Sequence, residues 1–182
     1  MNEGISFLER MRIRLMDYRR LGERAMGQLD EQQINWKASV GDNSIYIIVR
    51  HLHGNMLSRF SDFLVSDGEK PWRDRDAEFS EEKGTMEQIR QLWNEGWSSV
   101  EKALDNLEDG DISKMVTIRG QEHTVFEAIL RQVAHYAYHI GQIVYIAKML
   151  KADNWETLSI PRGASEKFNK EMKDRFPPKS PI

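Results

Sequence analysis

The sequence predicts an all-α fold, specifically a four-helix bundle, and three observations predict it. Four long segments repeat apolar residues every three to four positions, the period of an amphipathic helix. Two of them open on a threonine followed three positions later by glutamine or glutamate, a pair that satisfies the first free N–H groups of a helix. The stretches between the segments are rich in glycine, proline and charge, as connections are. Four helices with three connections bury their apolar stripes against one another as a bundle. At 182 residues the chain is expected to form one domain over 1–182, with a frayed tail from about 177 to 182.

The first segment, "ISFLERMRIRLMDYRRLGERAMGQL", aligns Ile5, Leu8, Met11, Leu15, Tyr18 and Met26 on one side with arginines opposite. It is expected to stop before Asp30, with "DEQQINWK" as a connection. The second, "NSIYIIVRHLHGNMLSRFSDFLV", starts after the "GDN" breaker and is expected to reach about Val65. A long loop follows, "SDGEKPWRDRDAEFS", and its charge run "WRDRDAEFSEEK" reads as a solvated stretch. The third segment is capped by Thr85 and Gln88 and runs through Ile89, Leu92, Trp93, Trp97, Val100 and Leu104 to about Leu107, where "EDGD" stops it. Next, "MVTIRGQEHTV" has two short extended arms about Arg119 and Gly120, a small hairpin. Thr124 with Glu127 launches the fourth segment, to about Leu150. The tail has room for a short helix after Arg162-Gly163.

Composition excludes several functions. The formal net charge of -3 offers no basic footprint for nucleic acid. With no cysteine there is no disulfide framework, no thiolate metal site and no cysteine nucleophile. Apolar runs such as "IYIIV" fall far short of the ~20 residues of a membrane span. Met1 is followed by Asn-Glu-Gly and not by a basic stretch with an apolar core, so a cytoplasmic protein is expected.

Among five histidines, His135 and His139 in "AHYAYHIGQ" stand four apart, one helical turn, so both imidazoles can reach one point. At ~100° per residue the apolar face of the fourth segment centres near Ile129, Val133, Ile140, Val144 and Ala147, with both histidines on its flank. In the second segment the apolar centre lies near Ile45, Ile48, Leu52, Met56 and Phe63. His51 and His53 fall on either side of it; the wheel does not choose between them and puts His53 nearer the centre. Two imidazoles from one helix and one from another make a three-histidine site with open coordination positions. The competing reading is that these histidines only pack. The zinc-protease motif needs glutamate after its first histidine, where this chain has Tyr136, and no histidine has the glutamate three residues before it that a di-iron site needs.

The stretches "SIYIIVRHL" and "HYAYHIGQ", within four helices in this order, resemble the DinB/YfiT-like superfamily. The stretches "RHLHGNMLSRFSDFLVSDGEKPWRDRDAEF" and "SIPRGASEKFN" resemble an uncharacterised bacterial branch of it. The resemblance covers nearly the whole chain. It implies a metal triad, one histidine about seven residues after the serine that opens the second helix plus the paired histidines of the fourth. That pattern falls on Ser44 and His51, not His53, so His51, His135 and His139 are the expected ligands of a divalent ion, zinc or nickel. It also implies a homodimer. Some members are thiol S-transferases in which the metal activates a low-molecular-weight thiol, which suits a chain without cysteine of its own. A small-molecule substrate, attacked by such a thiol, is the expected partner. The alternatives are hydrolysis by a metal-bound water and a non-catalytic metal-binding stress-response bundle.

Around the triad, Asn55 stands one turn beyond His51, Gln142 three residues beyond His139, and Arg131 one turn before His135. They are read as candidates for orienting a ligand, supporting an imidazole and binding an anionic group, each against a plain packing or solvated role. Tyr138 and Tyr145 can supply a phenol but read first as core; Trp72 and Trp155 read as pins for their loops; His123 reads as a surface residue.

Overall fold

Residues 6–177 are described in a computed structural model of the chain, and among them it is mostly helical with one small sheet. The elements are α1 (Phe7–Met26), α2 (Glu31–Ile34), α3 (Ile45–Phe60), α4 (Met86–Asp105), β1 (Met115–Ile118), β2 (Gln121–Thr124), α5 (Val125–Lys151) and α6 (Ser165–Arg175). Ile5 and residues 178–182, which include most of the expected frayed tail, lie outside the described residues.

Each long helix starts where a short polar side chain can replace a missing backbone partner. The hydroxyls of Ser6 and Ser44 accept from the N–H groups of Glu9 and Ile47. Thr85 with Gln88, and Thr124 with Glu127, form reciprocal caps on α4 and α5. The apolar faces then assemble one core. Helix α1 packs on α5 and on α4, and α3 packs on α4 and on α5. Fully buried Trp97 stands at its middle, edge-on to Trp93 and Tyr136, among Leu15, Leu52, Ile129 and Ile140. No helix among the described residues is long and apolar enough to cross a membrane.

Three features depart from the sequence expectation. "DEQQINWK" contains a helical turn, α2, because Asp30 and Gln33 form their own capping box and Ile34 is fully buried. Helix α3 stops at Phe60 instead of Val65, since Ser61 is extended and Asp62 takes φ 50, in the left-handed region. The loop is not pinned by Trp72, which is 59% exposed. Trp155 does pack against the core.

The loop after α3 is instead fastened to the hairpin. Arg119 (φ 57) and Gly120 (φ 73) form the two-residue turn between β1 and β2, whose register pairs Met115 with Thr124 and Ile118 with Gln121. The Asp67 carboxylate accepts the N–H groups of Arg119 and Gly120, each at 2.8 Å, and Gly68 N–H donates to the Thr117 carbonyl at 2.8 Å. Backbone hydrogen bonds, the one from Glu69 foremost, hold the Asp67 carboxyl down at about 2. His123 on β2 is half-buried rather than superficial, with Nε2 enclosed and without a partner among the described residues.

Candidate metal centre

Two helices bring the three histidines together. His135 and His139 share a face of α5, and α3 crosses it with His51. His51 is buried, the other two half-buried. His51 Nε2 lies 3.2 Å from His135 Nε2, and His139 Nε2 lies 3.1 Å from the same atom. One ligand atom from each of the three falls within 4.8 Å of the others. His53, by contrast, points away, toward Glu95 at 3.1 Å.

The outer nitrogens decide what the inner ones can do. His51 Nδ1 faces the Glu78 carboxylate at 2.9 Å, which can only accept, so the proton sits on Nδ1 and the Nε2 lone pair is free. His139 Nδ1 donates to Gln142 Oε1 at 2.8 Å, which frees its Nε2 likewise. Both lone pairs converge on His135 Nε2, and one proton there cannot satisfy both. His135 Nδ1 is buried without a partner among the described residues. Nitrogen ligands at ~2.0–2.1 Å around a tetrahedral ion stand ~3.3 Å apart, which the two short separations approach. The group therefore fits a divalent cation with at least one position open.

Burial keeps two of the imidazoles, His135 and His139, uncharged at neutral pH. Burial, then the charges of His139, His51, Arg73 and Arg59, push His135 down to about 3. Burial pushes His139 down to about 4 against the opposing hydrogen bond to Gln142.

Glu78 is the residue that sequence reasoning missed. It lies in the charge run read as a solvated loop, yet it is buried, and the Ala77–Phe79 turn packs against α3. Burial opposes its ionisation, but hydrogen bonds from His51 and Arg73, with the charge of Arg73, hold its carboxyl below the usual carboxylate value. Arg73 grips it with Nε at 2.8 Å and Nη2 at 3.0 Å. A carboxylate behind a ligating histidine fixes the ring's tautomer and direction. Gly54 on α3 makes room for it: a Cβ there would fall 2.1 Å from Glu78 Oε1. The Phe79 ring covers His51, with centroids 4.7 Å apart.

The other candidates fall as follows. Asn55 is buried and accepts from the Tyr136 hydroxyl at 3.2 Å, and burial pushes that phenol up, so Tyr136 is a neutral structural donor. Asn55, Arg131 and Tyr138 all line the cavity over the histidines, which has a volume of about 510 Å3. Tyr138 is 64% exposed and Tyr145 72%, so neither is core: both project from the outer side of α5. Gly141, next to Gln142, would have nothing within 4 Å of a Cβ and serves no packing need. The loop closes over the site, since Arg73, Arg75 and Phe79 line the cavity with Arg119 of the hairpin.

Over residues 2–164 the chain matches the model of a family described as "Protein of unknown function (DUF1572)". No curated protein and no solved structure matches it.

Proposed function

The chain belongs to the DUF1572 family, and on that premise we propose that it is a metal-dependent enzyme of the DinB/YfiT-like superfamily, built as that superfamily's four-helix bundle. His51, His135 and His139 would hold a divalent ion, zinc or nickel. The observation that carries this reading is the convergence of three Nε2 atoms, two of them on rings whose Nδ1 is held by Glu78 or Gln142. When bound, such an ion lowers the pKa of a thiol or water beside it and so supplies a nucleophile at neutral pH.

The chain's own residues favour the thiol, transferred to a small electrophile. Among the described residues no aspartate or glutamate lines the cavity, and both oxygens of Glu78 are already engaged by His51 and Arg73. Water activation for hydrolysis usually draws on a nearby general base, and here none faces the open side. A thiol that arrives on a cosubstrate needs no such base. Glu78 holds the His51 ring, Gln142 holds the His139 ring, and Phe79 keeps water from the His51 side. Tyr138, beside His139 with ring centroids 4.9 Å apart, stands at the mouth where a substrate enters.

Elemental analysis of the untagged protein tests the metal. About one ion per chain in the wild type and in His53→Ala, and none in His51→Ala, is the expected result. A wild type that takes up neither zinc nor nickel overturns it. For the reaction, turnover of an aryl halide is expected to require both the metal and an added low-molecular-weight thiol. Ester hydrolysis at equal rate without thiol would move the assignment to a hydrolase.

A further inference from the structure

We propose that the cavity over the histidines is a receptor for an oxyanion, and that the substrate carries a phosphate or carboxylate group. This deepens the reading above by naming a substrate class; it rests on that reading for the chemistry but not for the binding. Among the described residues five arginines line the cavity, Arg59, Arg73, Arg75, Arg119 and Arg131, and no carboxylate does. That concentration occurs in a chain whose formal net charge is -3. A cleft walled by one sign of charge focuses its field on the ligand of opposite sign.

The guanidinium groups are held from behind. Arg59 Nη2 and Arg119 Nε share Glu69 Oε2 at 3.0 and 2.9 Å, and Arg73 is clamped on Glu78; neither glutamate lines the cavity. Buried guanidinium groups need such partners, and the side chains of Arg73 and Arg59 are 2% and 5% exposed. The carboxylates do not use every donor. Both Nη groups of Arg119 and the Nη1 of Arg73 have no hydrogen-bond partner among the described residues. Arg131 has no ion-pair partner among them either, while Arg75 lies 4.0 Å from the Asp76 carboxylate and over the Phe79 ring at 5.0 Å. Pre-oriented forks with unspent N–H groups are what phosphate and carboxylate oxygens bind. The cavity's roughly 510 Å3 suits a small molecule.

Arg119 adds an independent argument. It occupies the first central position of the hairpin turn at φ 57, where Asn, Asp or Gly is at ease and a longer side chain is strained. Strain of this kind persists where function requires the residue. The turn does not need an arginine; the cavity, which its side chain lines, does.

The test is calorimetric titration of the full-length untagged chain at fixed ionic strength with sulfate, phenyl phosphate and phenol, in chelator-treated and zinc-loaded forms. Phenyl phosphate is expected to bind both forms and phenol neither. Arg119→Asn and Arg131→Gln are each expected to weaken phenyl phosphate about ten- to hundredfold. Arg119→Asn is expected to keep or raise the ligand-free Tm, which a merely structural arginine would lower; Arg131→Gln, on an exposed helix face, gives the same reading without touching the turn. Phenol binding as tightly as phenyl phosphate, or both variants binding like the wild type, overturns the proposal. Phenyl phosphate binding in a protein that takes no zinc leaves the proposal standing and removes the metal reading. Zinc uptake without anion binding does the reverse.

Discussion

Replacing Gly54 by alanine tests the carboxylate behind His51. In an unconstrained helix interior this change stabilises by roughly 0.5–1 kcal/mol, because glycine loses more backbone freedom on folding. Here the new Cβ would fall 2.1 Å from Glu78 Oε1 and 2.8 Å from its Cδ. Non-bonded heavy atoms rest near ~3.5 Å, so the carboxylate must retreat by more than about 1 Å. It cannot do so and keep His51 at 2.9 Å and both nitrogens of Arg73 at 2.8 and 3.0 Å. Losing one charge-assisted hydrogen bond costs about 1.5–3 kcal/mol, which outweighs the helix gain and leaves the metal-free protein roughly 1–2 kcal/mol less stable. Zinc affinity should fall about 10- to 100-fold, as when a residue behind a ligand is lost. Gly141→Ala is the internal control, since nothing lies within 4 Å of its added Cβ. It should gain stability and keep its affinity. Urea denaturation of both chelator-treated variants, with competition against a chromogenic zinc chelator, reads the comparison. If Gly54→Ala gains as much stability as Gly141→Ala and binds zinc like the wild type, the role given to Glu78 is wrong.

Three further outcomes follow from the same contacts. Arg73→Met should destabilise the protein by roughly 3 kcal/mol, because it leaves a buried carboxylate half-paired; the double variant with Glu78→Gln should recover most of that in denaturant titrations. His135 and His139 titrate at about 3 and about 4 when folded, against 6.5 as the ordinary value. The unfolded chain therefore binds protons first, and metal-free stability should fall as pH drops from about 6.5 through about 4 for His139 and about 3 for His135, with up to about 1.4 kcal/mol per pH unit from each histidine; a His135→Gln, His139→Gln variant whose slope matches the wild type refutes this. Thr124→Ala should cost about 1 kcal/mol by removing the cap of α5, measured by thermal unfolding, and should leave zinc content unchanged.

The long helices were legible because each repeats apolar residues at helical spacing and opens on a serine or threonine that caps it. Helix α2 was not, since four residues are too short for a period, although Asp30 and Gln33 were there as a signal. The paired histidines of α5 could be read from spacing alone. The choice of His51 over His53 could not, for a physical reason: twelve of the sixteen residues of α3 are buried, so its wheel has no broad solvent face from which to measure. Resemblance supplied His51 where periodicity did not choose between it and His53. Glu78 and Arg73 were hidden because their meaning is tertiary. Locally they belong to a charge-dense loop, and only the approach of that loop to Gly54, which Glu78 follows by 24 positions, turns two charges into support for a ligand.

The burial of α3 on nearly every side has a consequence before the protein folds. Its first turn, Ile45-Tyr46-Ile47-Ile48-Val49, is β-branched and aromatic, and is uncharged over five residues. In the finished protein those side chains are interior and the backbone is sealed within the helix. In a nascent or denatured chain the same five residues are a β-prone segment able to pair with copies of itself. Asp42 and Arg50 stand on either side of it as charged sentinels of the kind that restrain such pairing. The segment that delivers His51 to the centre is thus also a stretch that the unfolded chain must keep from pairing with its copies.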